Sequence, residues 1–267
     1  MNANRIDYVD GLRAVAVLTV LAAHIALHAP HLSGPVYHAV IEGAHGVDLF
    51  FVLSGFCLAY PTLRKFRDGN ATSFRLVDFA TKRLVRIVPP FYLATLVLLA
   101  VALIARLTGR GSFLEIPPPQ DILKSLLFID GHVQLLNSSF WTLMVEFRWY
   151  FLFPILLAIW LKSPRGFCAI GVSSAILYAF TRARGLDLGT LPGFMFGIIA
   201  ADIFVGGRLP DHIAERIKRF ALPLAFVCAA VGVASESSAM IPGFDGFDVK
   251  FAYQPTIVGW QLAMFFF

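Results

Sequence analysis

The sequence predicts an all-α fold, a polytopic bundle of transmembrane helices. Of its 267 residues, 58% are hydrophobic and only 15% are charged, whereas about a quarter of the residues of soluble domains are charged. The Lys and Arg residues cluster in short segments between apolar runs, which is typical of membrane proteins. This clustering argues against a nucleic-acid partner, which the net charge of +5 would otherwise suggest. Cys57, Cys168 and Cys228 are isolated, so no metal site is predicted.

Eight apolar segments are candidates for membrane spans, although several are shorter than the roughly 20 residues of an ideal span. They cover residues 12–29, 45–62, 87–105, 140–161, 166–181, 189–206, 220–234 and 255–267. Because the last segment stops at Phe267, we expect residues 1–267 to form a single membrane domain, an incomplete bundle whose C-terminal spans are missing.

The distribution of basic residues predicts the orientation of the chain in the membrane. With the N-terminus inside, the inner segments hold fifteen Lys and Arg residues and the outer segments hold six. Since basic residues are enriched in short cytoplasmic loops, the N-terminus is expected to be cytoplasmic. Residues 107–139 then form an extracytoplasmic segment that is too long to be a simple turn.

The first apolar segment carries ionisable side chains along one face. Arg13 and His24 are eleven residues apart, which places them within about 20° of each other around a helix and about 16 Å apart along its axis. Asp10 and His28 lie within about 60° of the same face. A charge at the bilayer centre costs at least about 2.5–3.5 kcal/mol, so this polar stripe is a candidate functional site.

Arg13 and His24 each have two interpretations. Arg13 either extends to the inner membrane surface or contributes to function, and the sequence leaves both open. His24 either hydrogen-bonds a neighbouring helix or acts as a base or nucleophile. We favour function for His24, because imidazole exchanges protons near neutral pH.

Two carboxylates lie near the predicted outer ends of their segments. Asp48 begins the second segment, where it is either solvated or paired with a histidine. In the fourth segment, Trp141 suits the outer interface, and Glu146 follows about 7 Å below it, at a depth similar to that of His24. A pair between Glu146 and Arg148 is disfavoured, because residues two apart face about 160° away from each other.

Basic side chains precede the third apolar segment. Arg83 and Arg86 are three residues apart and can share a helix face at the inner membrane surface. They either anchor the chain to anionic membrane lipid or form a phosphate-binding patch for a cytosolic donor. The charges alone do not separate these two roles.

Four motifs resemble those of the acyltransferase-3 family of integral membrane acyltransferases, and they occur in the family's order. The motifs are Asp10–Arg13 with His24, Gly46–Phe56, Arg83–Arg86, and Trp141–Leu143 with Glu146 and Tyr150. The last motif departs from the family pattern at Thr142, at Phe147, where a second acidic residue is common, and at Trp149. Together the motifs cover roughly the first 150 residues, and beyond them only hydrophobicity supports the resemblance.

This resemblance implies a bundle of about ten helices, in a bacterial inner membrane, that transfers an acyl group to a carbohydrate hydroxyl. The donor is commonly acetyl-CoA, which acts as a substrate, so no permanently bound cofactor is expected. Family acceptors include lipopolysaccharide O-antigen, exopolysaccharide, peptidoglycan and small glycosides. The resemblance assigns His24 as the catalytic histidine, Arg13 as its essential partner and Arg83 and Arg86 as donor-binding residues. Glu146 becomes a secondary catalytic or positioning candidate.

Two other functions are consistent with the same residues. A proton-coupled or anionic-substrate transporter also carries ionisable residues inside its spans, although the sequence contains no internal repeat. An inactive membrane partner becomes plausible if the chain ends at Phe267 with an incomplete bundle. The sequence predicts neither the acceptor nor the oligomeric state.

Overall fold

The computed structural model describes residues 6–29, 31, 33–69, 74–109, 116–129, 136–137, 139–181 and 188–207, with scattered positions between 210 and 227. The regular elements in these ranges are all helical, which confirms the predicted all-α fold. They are α1 Asp7–Leu27, α2 Gly34–Ile41, a 3₁₀ turn Glu42–His45, α3 Gly46–Arg67, α4 Leu76–Leu107, α5 Pro119–Leu126, α6 Phe140–Lys162, α7 Pro164–Thr181 and α8 Leu191–Val205.

Four stretches of the described chain are long and apolar enough to cross a membrane. They are Tyr8–Leu27, Gly34–Arg67, Leu76–Leu107 and Phe140–Lys162. The predicted segments 166–181 and 189–206 correspond to α7 and to α8, but neither is among the four, and α8 has only 15 residues. The predicted segments 220–234 and 255–267 lie outside the continuously described residues.

The helices divide into two compact units. One lies within Met1–Thr72 and Leu156–Phe267, and the other within Ser73–Ile155. In the first unit, α3 and α8 cross at glycines. A Cβ on Gly55 would overlap the Phe194 carbonyl oxygen, and a Cβ on Gly197 would overlap that of Val52. Small residues at both positions allow this backbone approach.

One face of α1 packs on the 3₁₀ turn and on α3. Its buried positions are Val9 and three alanines, Ala16, Ala23 and Ala26, and the alanines let the backbones approach closely. Side chains such as Leu18 and Ile25 on the other side are more than half exposed. A helix packed through one narrow face leaves its flanks available for function.

Two helical segments were not predicted from the sequence, and one predicted start is wrong. The helix α4 begins at Leu76, eleven residues before the predicted segment, and it continues through Pro89 and Pro90. The first unpredicted segment is α2 with the 3₁₀ turn, and the second is α5, which lies inside the predicted outer loop. Because charged residues lower the local hydropathy around Arg83, an apolar window misses the first turns of α4.

In the second unit, α4 and α6 run antiparallel through aromatic contacts. Ring centroids of Phe91 and Phe140 are 5.3 Å apart, and those of Phe79 and Phe153 are 5.4 Å apart. Later residues of α4 thus lie beside the start of α6, and earlier residues of α4 lie further along α6. This arrangement places the middle of α6 beside Arg83.

Candidate functional site

His24 is oriented by a hydrogen bond within its own helix. Its Nδ1 lies 2.8 Å from the Val20 carbonyl oxygen. Because a carbonyl oxygen only accepts, Nδ1 must carry the proton, and the lone pair of the neutral ring is then on Nε2. The side chain is half-buried. It therefore presents a nitrogen that can accept a proton or attack an electrophile. A hydrogen bond to a neighbouring helix was the alternative role of His24 predicted from the sequence, whereas this bond lies within α1.

Arg13 lies on the same flank of α1 and is half-buried as well. Both side chains lie about 100° around the helix from the alanine face that packs on α3. Their separation of about 16 Å along the axis is too long for both to contact one reacting group. Asp10 and His28 at the two ends of the stripe are exposed, and His28 Nδ1 lies 3.1 Å from the His24 carbonyl oxygen.

Asp48 pairs with a histidine, which was one of the two alternatives predicted from the sequence. The Nδ1 of His45 donates to Asp48 Oδ2 at 3.0 Å, and His45 Nε2 lies 3.5 Å from Glu42 Oε2. His45 is 3% exposed and Asp48 is 4% exposed, so the solvated alternative is wrong. Buried carboxylates are retained only with partners, and the imidazole supplies one here.

Arg83 packs against aromatic rings in the second unit. Its guanidinium carbon lies 5.6 Å from the Phe79 ring centroid and 5.1 Å from that of Tyr150. The Tyr150 hydroxyl donates to the Glu146 carboxylate. Arg86, three residues further along α4, has an exposed side chain. Arg83, Tyr150 and Glu146 thus form one cluster, in which Tyr150 contacts both of the others.

This cluster lies along the middle of α6. Tyr150 is about 15 Å from the start of α6 and about 18 Å from its end. Arg83 therefore lies alongside the centre of a candidate span, whereas the sequence pattern placed it ahead of the third apolar segment. An arginine in such a place is held by its partners, and Arg83 has cation–π contacts to two rings.

The remaining candidates are on α6. Trp141 lies in the first turn and is half-buried. Arg148 Nε lies 3.4 Å from the Met144 carbonyl oxygen. The structure thus links Glu146 to Arg83 through Tyr150, and it brings Asp48 together with His45. Arg13 and His24 belong to the unit within Met1–Thr72 and Leu156–Phe267. The depth relation between His24 and Glu146 stays a prediction.

The sequence-based candidates did not include His45, Glu42 or Tyr150. A spacing of three residues links Glu42, His45 and Asp48, and a spacing of four links Glu146 and Tyr150. Such spacings place side chains on one helical face, so they were a usable signal. Within the described residues, no group of His, Cys, Asp and Glu side chains is arranged to hold a metal ion.

Comparison with known proteins supports the motif resemblance. The family model described as an acyltransferase domain matches residues 6–267. Peptidoglycan O-acetyltransferase OatA of Listeria monocytogenes is 27% identical over 183 residues, which cover 64% of this chain and 28% of that protein. The exopolysaccharide production protein ExoZ of Rhizobium meliloti is 28% identical over 198 residues, which cover 67% of this chain and 57% of that protein.

A third relative is acyltransferase MdmB of Streptomyces mycarofaciens. It is 28% identical over 184 residues, which cover 65% of this chain and 45% of that protein. The chain therefore matches between 28% and 57% of the length of these three relatives. No solved structure matches the chain significantly. Because the family model covers nearly every residue, the chain belongs to the acyltransferase-3 family of membrane acyltransferases.

Proposed function

We propose that this chain moves an acyl group, typically acetyl, from a CoA thioester to a hydroxyl of a carbohydrate or cell-envelope glycan. The observation that carries this proposal is the orientation of His24. Its Nδ1 proton is engaged by the Val20 carbonyl oxygen, which leaves the Nε2 lone pair for chemistry. The names of OatA and ExoZ, which refer to peptidoglycan and to exopolysaccharide production, support a glycan acceptor.

In the proposed reaction, His24 Nε2 takes the proton of the acceptor hydroxyl. The oxygen then attacks the thioester carbon, the carbon–sulfur bond breaks, and the thiolate leaves with the proton returned by the imidazolium. The alternative is a covalent route in which Nε2 attacks the thioester carbon and expels the CoA thiolate. The acyl-imidazole then passes its acyl group to the hydroxyl oxygen, and the hydroxyl proton goes to the thiolate. Both routes need the same free lone pair.

The distance between Arg13 and His24 favours one role for Arg13. A separation of about 16 Å along the helix keeps the guanidinium away from an acyl group held at His24. CoA carries its phosphates far from its thioester, so Arg13 is suited to neutralise donor phosphate. A donor made in the cytosol fits the predicted cytoplasmic N-terminus, in an inner membrane, because Arg13 lies at the N-terminal end of α1.

Transfer of label from acetyl-CoA tests the proposal. Purified protein in detergent is incubated with acetyl-labelled CoA and a panel of glycans, and covalent label in the glycan is measured. We expect label with the native chain and none with His24→Ala. Uptake of substrate by vesicles that contain the protein, without covalent label in the glycan, would identify a transporter. A chain that binds acetyl-CoA but shows neither transfer nor uptake would be an inactive partner. Undiminished transfer in His24→Ala would remove His24 from the chemistry.

A second prediction concerns Arg83 and Arg86 as donor-binding residues. We expect Arg86→Gln to weaken acetyl-CoA binding about 5- to 30-fold, because a charge-assisted hydrogen bond to phosphate contributes about 1–2 kcal/mol. Arg86 is exposed, so the variant should fold normally. Arg83→Gln should weaken binding too, and it should also lower the melting temperature through loss of its ring contacts.

Isothermal titration with acetyl-CoA measures both effects. Arg106→Gln is the matched control, because Arg106 is an exposed arginine in the last turn of the same helix. Its affinity should equal that of the native chain. Equal affinities for Arg86→Gln and Arg106→Gln would assign Arg86 to membrane topology alone.

A further inference from the structure

The 3₁₀ turn Glu42–His45 and the first turn of α3 align three ionisable side chains. In a 3₁₀ helix, residues three apart are eclipsed, so Glu42 stands directly over His45, and Asp48 follows one turn later. The imidazole lies between two carboxylates, 3.0 Å from Asp48 and 3.5 Å from Glu42. Because His45 and Asp48 are buried, these contacts fix the geometry of the turn.

The same turn presses on α1 through two glycines. A Cβ on Gly43 would lie 2.5 Å from the Thr19 carbonyl oxygen. A Cβ on Gly46 would lie 2.6 Å from the Thr19 hydroxyl oxygen, 2.7 Å from the Ala16 carbonyl oxygen and 2.9 Å from Val20 Cγ2. A Cβ at such distances would force the neighbouring atoms of α1 to shift. The turn therefore sets the position of residues 16–20 of α1.

Val20 connects this contact to His24. Its Cγ2 lies 2.9 Å from the position that a Cβ on Gly46 would take, and its carbonyl oxygen accepts the hydrogen bond from His24 Nδ1. We propose that the 3₁₀ turn, held by Glu42, His45 and Asp48, is the positioning element that orients His24 for acyl transfer. The inference rests on the proposed function, since it explains how the reacting nitrogen is held. His45 and Asp48 act through α1 and are positioning residues.

The first test is Gly46→Ala. The added methyl group pushes Val20 and Thr19, so we expect kcat to fall about 10- to 100-fold, while KM for acetyl-CoA stays within about twofold. Gly171→Ala is the control, because a Cβ there meets only the flexible Met195 side chain at 3.4 Å. Its kcat should match the native value.

A second readout separates positioning from general stability. The rate at which diethyl pyrocarbonate modifies His24, followed by peptide mass spectrometry, reports the environment of Nε2 without any turnover. We expect this rate to change at least threefold in Gly46→Ala and to stay constant in Gly171→Ala. Melting temperatures measured in detergent show whether each variant is folded.

A pair of His45 variants provides a test if Gly46→Ala does not fold. Asparagine places an amide donor where Nδ1 was and can still bond Asp48, whereas leucine cannot. We expect His45→Asn to retain at least a third of kcat and His45→Leu to lose about 10-fold or more. Native kcat and a native modification rate in both Gly46→Ala and His45→Leu would overturn the inference. Activity in His24→Ala would instead overturn the proposed function on which it rests.

Discussion

Acyl transfer by the His24→Asn variant is expected to be about 10²–10⁴-fold slower than by the native chain, which is the usual contribution of a general acid–base residue. The asparagine amide can still donate to the Val20 carbonyl oxygen, as Nδ1 does at 2.8 Å in the native chain. It has no basic nitrogen in place of Nε2. The variant therefore removes the lone pair and keeps the local hydrogen bond, which His24→Ala does not.

His28→Asn is the matched control for this variant. His28 is on the same helix and makes the same kind of contact, from Nδ1 to the carbonyl oxygen four residues earlier, but it is exposed. We expect native kcat for His28→Asn and a native melting temperature for both variants. Rates are measured with labelled acetyl-CoA at saturating acceptor. A fall of less than tenfold in His24→Asn would mean that His24 only packs or positions.

Gly197→Ala is expected to cause the largest loss of stability. A Cβ at this position would overlap the Val52 carbonyl oxygen and lie 2.6 Å from the Phe56 amide nitrogen. Both are backbone atoms inside α3, so neither can move aside as a flexible side chain would. Overpacking of a well-packed core typically costs about 1–3 kcal/mol, and a clash with two backbone atoms should cost at least the upper value.

Size-exclusion chromatography and thermal unfolding in detergent measure this effect. We expect little monodisperse Gly197→Ala protein and a clearly lower melting temperature. Gly11→Ala is the control, because a Cβ there meets nothing within 4 Å, and alanine favours a helix over glycine by about 1 kcal/mol. A native melting temperature for Gly197→Ala would show that α3 and α8 are not held in this close contact.

Long apolar helices and the family could be predicted from the sequence because both depend on local signals. Hydropathy locates α1, α3 and α6 closely. The serine at Ser163 and the proline at Pro164 mark the break between α6 and α7, where the Ser163 hydroxyl accepts the Gly166 amide. The motif residues likewise stand at fixed positions in the chain.

Contacts within the site were harder to predict because they depend on helix geometry and on tertiary packing. The line of Glu42, His45 and Asp48 needs a 3₁₀ turn, whereas the predicted apolar segment began at residue 45 and left Glu42 outside it. The location of Arg83 beside Tyr150 depends on the antiparallel pairing of α4 with α6, which no local pattern encodes. Hydropathy placed Arg83 ahead of a span, whereas its contacts place it along the centre of one.

The glycine crossing of α3 and α8 also constrains how the protein is made. Gly55 and Gly197 are about 140 residues apart in the chain, so at roughly 5–20 residues per second α3 leaves the ribosome about 7–28 s before its partner does. The cluster of Glu42, His45 and Asp48, and the contact of its turn with α1, involve only residues 16–48. The helix that carries His24 can therefore be aligned early in biosynthesis, well before α8 meets α3.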